Sequence, residues 1–76
     1  MIKATASIRK LRECLQESAA SVRSKADSMT TTYENRSDAW KEGDTAMEYE
    51  SDMDNLSELA DMLADAIDLI DNVYEF

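Results

Sequence analysis

Residues 46–74, AMEYESDMDNLSELADMLADAIDLIDNVY, decide the fold of this chain. Their apolar residues recur as Ala46, Tyr49, Met53, Leu56, Ala60, Leu63, Ile67, Ile70 and Tyr74. The steps alternate between three and four for four heptads, the signature of a coiled-coil seam on one helix. Working back towards the start, Ala4, Ile8, Leu11, Leu15, Ala19, Val22, Ala26, Met29 and Tyr33 follow in steps of three or four, with Trp40 beyond them. Two helical stripes in one short chain predict an all-α, antiparallel, coiled-coil-like helical hairpin.

Between the stripes stands Trp40-Lys41-Glu42-Gly43-Asp44-Thr45, with the only glycine in the chain. Glycine suits the left-handed residue that ends many helices. Thr45 with Glu48 fits a capping box for the helix that follows. The reading is therefore a single domain over 1–76, with arm one at about 2–41, a tip at about 42–45 and arm two at about 46–75. Folding about Gly43 pairs residues whose numbers sum to roughly 86, setting Leu15 near Ile70, Val22 near Leu63 and Met29 near Leu56. Arg9, Lys10 and Arg12 then lie beside Asp71 and Glu75. One alternative is kept: Thr30-Thr31-Thr32 has low helix propensity, and Thr31 with Glu34 is a second capping box. A break there gives three helices on the same plan.

Composition agrees. One glycine and no proline cannot supply the turns of a sheet protein. No apolar run is long enough for a transmembrane helix. Cys14 is the only cysteine and there is no histidine, which excludes a disulfide framework and a closed zinc site. The expectation is a protein with no metal and no cofactor. With no signal-peptide pattern at the start and a lone thiol, the cytoplasm is the expected compartment.

A 76-residue chain buries only about 60% of its unfolded surface, so a further staple is expected. The second helix points to one. Beyond its seam it carries Leu59, Ala66 and Val73 on one flank and Met62 and Leu69 on the other, more than the thin first arm can cover. At about 25 cal/mol per Å² of apolar surface, leaving that width wet would forfeit several kcal/mol. A homo-oligomer is expected to cover it, as a dimeric four-helix bundle or a higher assembly.

Charge divides the chain. The net value is −9. Residues 1–40 hold seven basic and five acidic side chains, and residues 42–76 hold twelve acids and no base. Asp54, Glu58, Asp61, Asp65 and Asp68, with Asp71 and Glu75, fall opposite the apolar stripe, as a ribbon about 30 Å long. Such a face repels nucleic acid and anionic membranes and suits a partner with a basic surface. It serves either as a nucleic-acid mimic or as the solvated face that keeps a sticky bundle in solution.

The tip combines Tyr33, Arg36, Trp40 and Lys41. An aromatic platform beside two cations suits a base and its phosphate, or a protein hot spot. It also suits a plainer task, Trp40 closing the bundle end against Ala46 and Tyr49. Cys14 lies beside the apolar stripe, where a packed thiol is expected, and no histidine activates it. No set of side chains suggests catalysis, so the chain is read as no enzyme.

The tip and the helix after it resemble small acidic helical proteins of phages and prophages. The resemblance spans about residues 33–72. It rests on a Ser-x-x-Trp tip, here Ser37 and Trp40, followed by Gly43, Ala46, Tyr49 and the seam from Leu56 to Ile70. It implies a viral or mobile-element origin and a binding protein or inhibitor that antagonises a host factor of anti-phage defence or nucleic-acid handling. Two alternatives stand beside it. One is an oligomeric sponge for a nucleotide second messenger, held by Arg9, Arg12, Arg23 and Arg36. The other is a structural coiled coil with no ligand.

Overall fold

The computed structural model describes every residue, Met1–Phe76. A short strand β1 (Ile2–Lys3) leads into the long helix α1 (Ala6–Glu34). A four-residue helix α2 (Asp38–Lys41) forms the tip, α3 (Asp44–Val73) returns, and β2 (Tyr74–Glu75) closes the chain. Helices α1 and α3 pack side by side as the expected hairpin. The molecule measures 55 × 14 × 14 Å. Its radius of gyration is 16.9 Å, against about 11 Å for a compact domain of this length.

α1 begins at Thr5, whose hydroxyl accepts the Ile8 N–H. It runs unbroken through Thr30, Thr31 and Thr32, so the alternative of a break there is not taken. Thr30 and Thr32 each donate their hydroxyl to the carbonyl one turn back, on Ala26 and Ser28, at 2.9 Å. The hydroxyls are thereby satisfied within the helix, and packing of Ala26, Met29 and Tyr33 on α3 outweighs a weak propensity. There are three helices, but the interruption falls at Asn35–Ser37. Ser37 is extended, and its Oγ accepts the Trp40 N–H at 3.2 Å, starting α2. The spacing Ser37-x-x-Trp40 is a cap.

Gly43 also differs from expectation. Its φ of −84° and ψ of 168° are extended, and no residue in the chain has a positive φ. A Cβ on Gly43 would lie 3.4 Å from the Trp40 carbonyl oxygen, an ordinary contact, so neither space nor φ demands glycine. Gly43 is the residue before α3, which starts at Asp44 rather than 46. Thr45 is therefore inside the helix and caps nothing. The tip spans 35–43, wider than 42–45.

The register also shifts. Arg12 meets Asp71 and Tyr33 meets Glu50, so partner numbers sum to about 83. The hairpin therefore turns about residues 41 and 42 rather than about Gly43. In α1 the seam takes Arg12 where Leu11 was expected, and Leu11 is 47% exposed. The Arg12 side chain leaves the seam to reach a carboxylate, which an apolar count cannot foresee.

Five of the 76 residues are buried: Ala4, Ala19, Met29, Ala46 and Ala60. Four are alanines, so the helices approach closely over small side chains. No large side chain is fully enclosed. At the far end from the tip, β1 and β2 pair in parallel, Ile2 with Tyr74 and Lys3 with Glu75. The Ala4 N–H extends the clasp by donating to the Glu75 carbonyl at 3.0 Å. Nothing in the apolar periodicity announced these two strands. Replacing buried Ala60 by Leu should force α1 and α3 apart and cost about 1–3 kcal/mol. Urea unfolding followed by helicity measures this, and exposed Ala20→Leu should be near neutral.

Candidate binding surfaces

Three surfaces carry the residues singled out in the sequence. The first is the tip, where three rings converge. Trp40 meets Tyr33 and Tyr49 edge-on, with centroids 5.7 and 5.6 Å away, and the two tyrosines stack at 6.3 Å. Arg36 lies over the indole at 5.1 Å, and Lys41 over the Tyr33 ring at 5.5 Å. The Tyr33 hydroxyl donates to the Glu50 carboxylate, which together with burial raises the phenol pKa. Tyr33, Arg36, Trp40 and Lys41 are thus brought together, with the rings and cations engaged with one another. Ala46, fully buried, lies in the first turn of α3 next to them. The sequence set Trp40 against Ala46 and Tyr49, as found, but left Glu50 out. The antiparallel register, which sets residue 33 level with residue 50, was the signal for it.

The second surface is the acidic face of α3. Asp54, Glu58, Asp61, Asp65 and Asp68 are all exposed. Asp54, Asp61 and Asp68 recur every seven residues along one line of the helix, and Glu58 with Asp65 form the neighbouring line. None of the five is in an ion pair. The single salt bridge of the protein joins Arg12 to Asp71, Nε to Oδ1 at 2.6 Å and Nη2 to Oδ2 at 2.9 Å. Asp71 therefore leaves the ribbon in which it was counted, and Glu75 belongs to β2. Of the three basic residues expected beside the carboxyl end, Arg12 alone pairs there.

The third surface is apolar, and its layout corrects the expectation of two flanks. Leu59, Met62, Ala66, Leu69 and Val73 follow steps of three, four, three and four. On a continuous helix they form one strip beside the seam, because each step returns to nearly the same angle. Met62 is 58% and Leu69 64% exposed. A groove of 390 Å³ lined by Lys25, Met29, Asp52, Asn55, Leu56 and Leu59 opens at the start of the strip. Across the hairpin, a smaller groove of 190 Å³ is lined by Arg23, Ala26, Asp27, Ser57, Ala60 and Asp61. The side with the smaller groove is therefore charged, and the other carries Lys25 and Asp52 at its groove and no charge along the α3 strip from Leu59 to Val73. Cys14 is exposed on the side of the strip, not packed as expected.

No helix is long and apolar enough to cross a membrane. Comparison of the chain with protein-family models, curated proteins and solved structures finds no match.

The Arg12 guanidinium holds the Asp71 carboxyl below its ordinary value of 3.8, chiefly through the hydrogen bonds, against a smaller opposing effect of burial. A carboxylate lowered in this way adds stability above its unfolded pKa, and the gain is lost as pH falls through the folded value. Wild type should therefore exceed Asp71→Asn in stability at neutral pH. The gap should close as pH drops below the ordinary aspartate range, in thermal melts run in parallel on both proteins.

Proposed function

We propose that this chain is a non-catalytic binding protein that presents the acidic face of α3 to a partner with a basic surface. The partner is of the kind that handles nucleic acid or acts in host defence, and occupation of its basic surface inhibits it. The supporting observation is the set of five exposed carboxylates, Asp54, Glu58, Asp61, Asp65 and Asp68, none of them in an ion pair. The low local dielectric of a protein contact strengthens their attraction to a cationic patch.

Charge density narrows the reading. Five charges along about 21 Å of helix compare with one per about 1.7 Å of duplex DNA. The face is less than half as dense as a duplex, so it suits a discrete basic patch better than a whole DNA groove. The sponge alternative finds no supporting observation in one chain. Arg12 is held by Asp71, Arg36 lies on Trp40, and Arg9 and Arg23 are about 21 Å apart along α1.

Reversal of Glu58, Asp61, Asp65 and Asp68 to Lys tests this reading. Facing like charges costs several kcal/mol, so proteins captured from a bacterial lysate at low salt should be lost. Capture of the same set by wild type and variant would sink the acidic-face reading.

A further inference from the structure

The monomer leaves an unusual amount of itself in water. Its accessible surface is 5550 Å², where a compact protein of 8.6 kDa exposes about 4,700 Å². The excess of roughly 850 Å² matches the ~800 Å² that each partner buries in a standard protein interface. The apolar part of α3 outside the hairpin seam is concentrated in the strip from Leu59 to Val73. That strip repeats the heptad rhythm of the seam, about a quarter-turn round the helix.

On the same side of the hairpin α1 offers Ser7, Leu11, Cys14, Ser18, Ser21 and Ser28 at the matching heptad positions, with Lys25 its only charge. The larger groove, which touches Lys25 on α1 and Leu59 on α3, shows that the two strips border one side. Bulky side chains on one helix thus lie beside small ones on the other. A face of this kind is complementary to itself when one copy is turned over.

We propose that a second copy of this chain docks on this side, giving an all-antiparallel four-helix bundle with a two-fold axis along its length. The charge distribution selects this arrangement. α3 carries ten acidic and no basic side chains, whereas α1 carries five basic and four acidic ones. Stacking α3 on the partner's α3 sets acid beside acid. Stacking α3 on the partner's α1 avoids that and opposes their helix dipoles. The two acidic helices then sit on a diagonal, with Asp54, Asp61 and Asp68 still facing water.

The register follows from symmetry. A two-fold axis parallel to the helices moves nothing along them, and closure permits no slide. Level residues therefore sum to about 83 between copies as they do within one. Leu69 faces the partner's Cys14, and Met62 faces the partner's Ser21. Small side chains on α1 form holes for the α3 knobs, as in coiled coils. This inference is independent of the acidic-face reading, because Asp54, Glu58, Asp61, Asp65 and Asp68 stay outside the interface, and the one acid lining the larger groove is Asp52, which shares it with Lys25.

The experiment reads mass and covalent pairing. Light scattering on wild type should give twice the 8.6 kDa chain mass, and Met62→Glu should halve it. Leu69→Cys should give a disulfide-linked dimer under mild oxidation, and adding Cys14→Ser should abolish the link. Within one chain residues 14 and 69 lie on outward positions of adjacent helices, beyond the ~7 Å limit for a disulfide. A wild-type monomer at all concentrations would overturn the proposal. So would a Leu69→Cys protein that fails to link, or one whose link persists with Cys14→Ser, which marks α3 on α3. The disulfide assay needs no loss of folding, so it decides even where Met62→Glu costs helicity.

Discussion

The close approach of α1 and α3 over alanine is the constraint on which the rest depends. Ala19, Ala46 and Ala60 let two helices touch along their length while adding little apolar area. A seam of this kind fixes register well but encloses no large side chain. The remaining order therefore comes from the two ends. At one end, three aromatic rings and two cations lock the tip. At the other, the Arg12–Asp71 pair and the two-residue ladder hold the chain's ends together.

The sequence carried the architecture because the α3 pattern is regular over four heptads, and such a period admits one element type. It carried the tip only in part. Tyr33, Arg36, Trp40 and Lys41 were recognisable by type, but where the helix breaks depended on a competition invisible to propensity. Back-bonded hydroxyls at Thr30 and Thr32 kept α1 going, and a serine cap at Ser37 ended the gap. Gly43 misled because glycine's freedom permits a left-handed turn without requiring one. The register slipped for the same reason, since the pairing was counted from Gly43 as the hinge. Arg12 was missed as a seam residue because hydropathy gives it no weight, although its guanidinium reaches back to a carboxylate. The exposure of Asp54, Glu58, Asp61, Asp65 and Asp68 was read correctly from helical geometry alone. The apolar residues were not, because Leu59, Met62, Ala66, Leu69 and Val73 were assigned to two flanks where their spacing makes one strip.

Charge and apolarity occupy different sides of α3, and this separation makes two kinds of contact compatible. The side facing the uncharged part of α1 can be covered without touching the carboxylates. The carboxylates can meet a cationic surface without uncovering the strip. A helix with its acids scattered around the whole circumference could do neither, since each contact would bury some unpaired charge.

The parallel clasp of β1 on β2 has a mechanical consequence. Because the strands run in the same direction, tension applied to residues 1 and 76 pulls them past each other lengthwise. Their hydrogen bonds, and that from Ala4 to Glu75, are loaded together rather than in succession. Once the clasp yields, α1 and α3 are drawn apart from the same pole and peel like a zip, one layer at a time. The ladder is thus a shear latch on a structure that is otherwise easy to unzip, and its two residues per strand give it an influence out of proportion to its size.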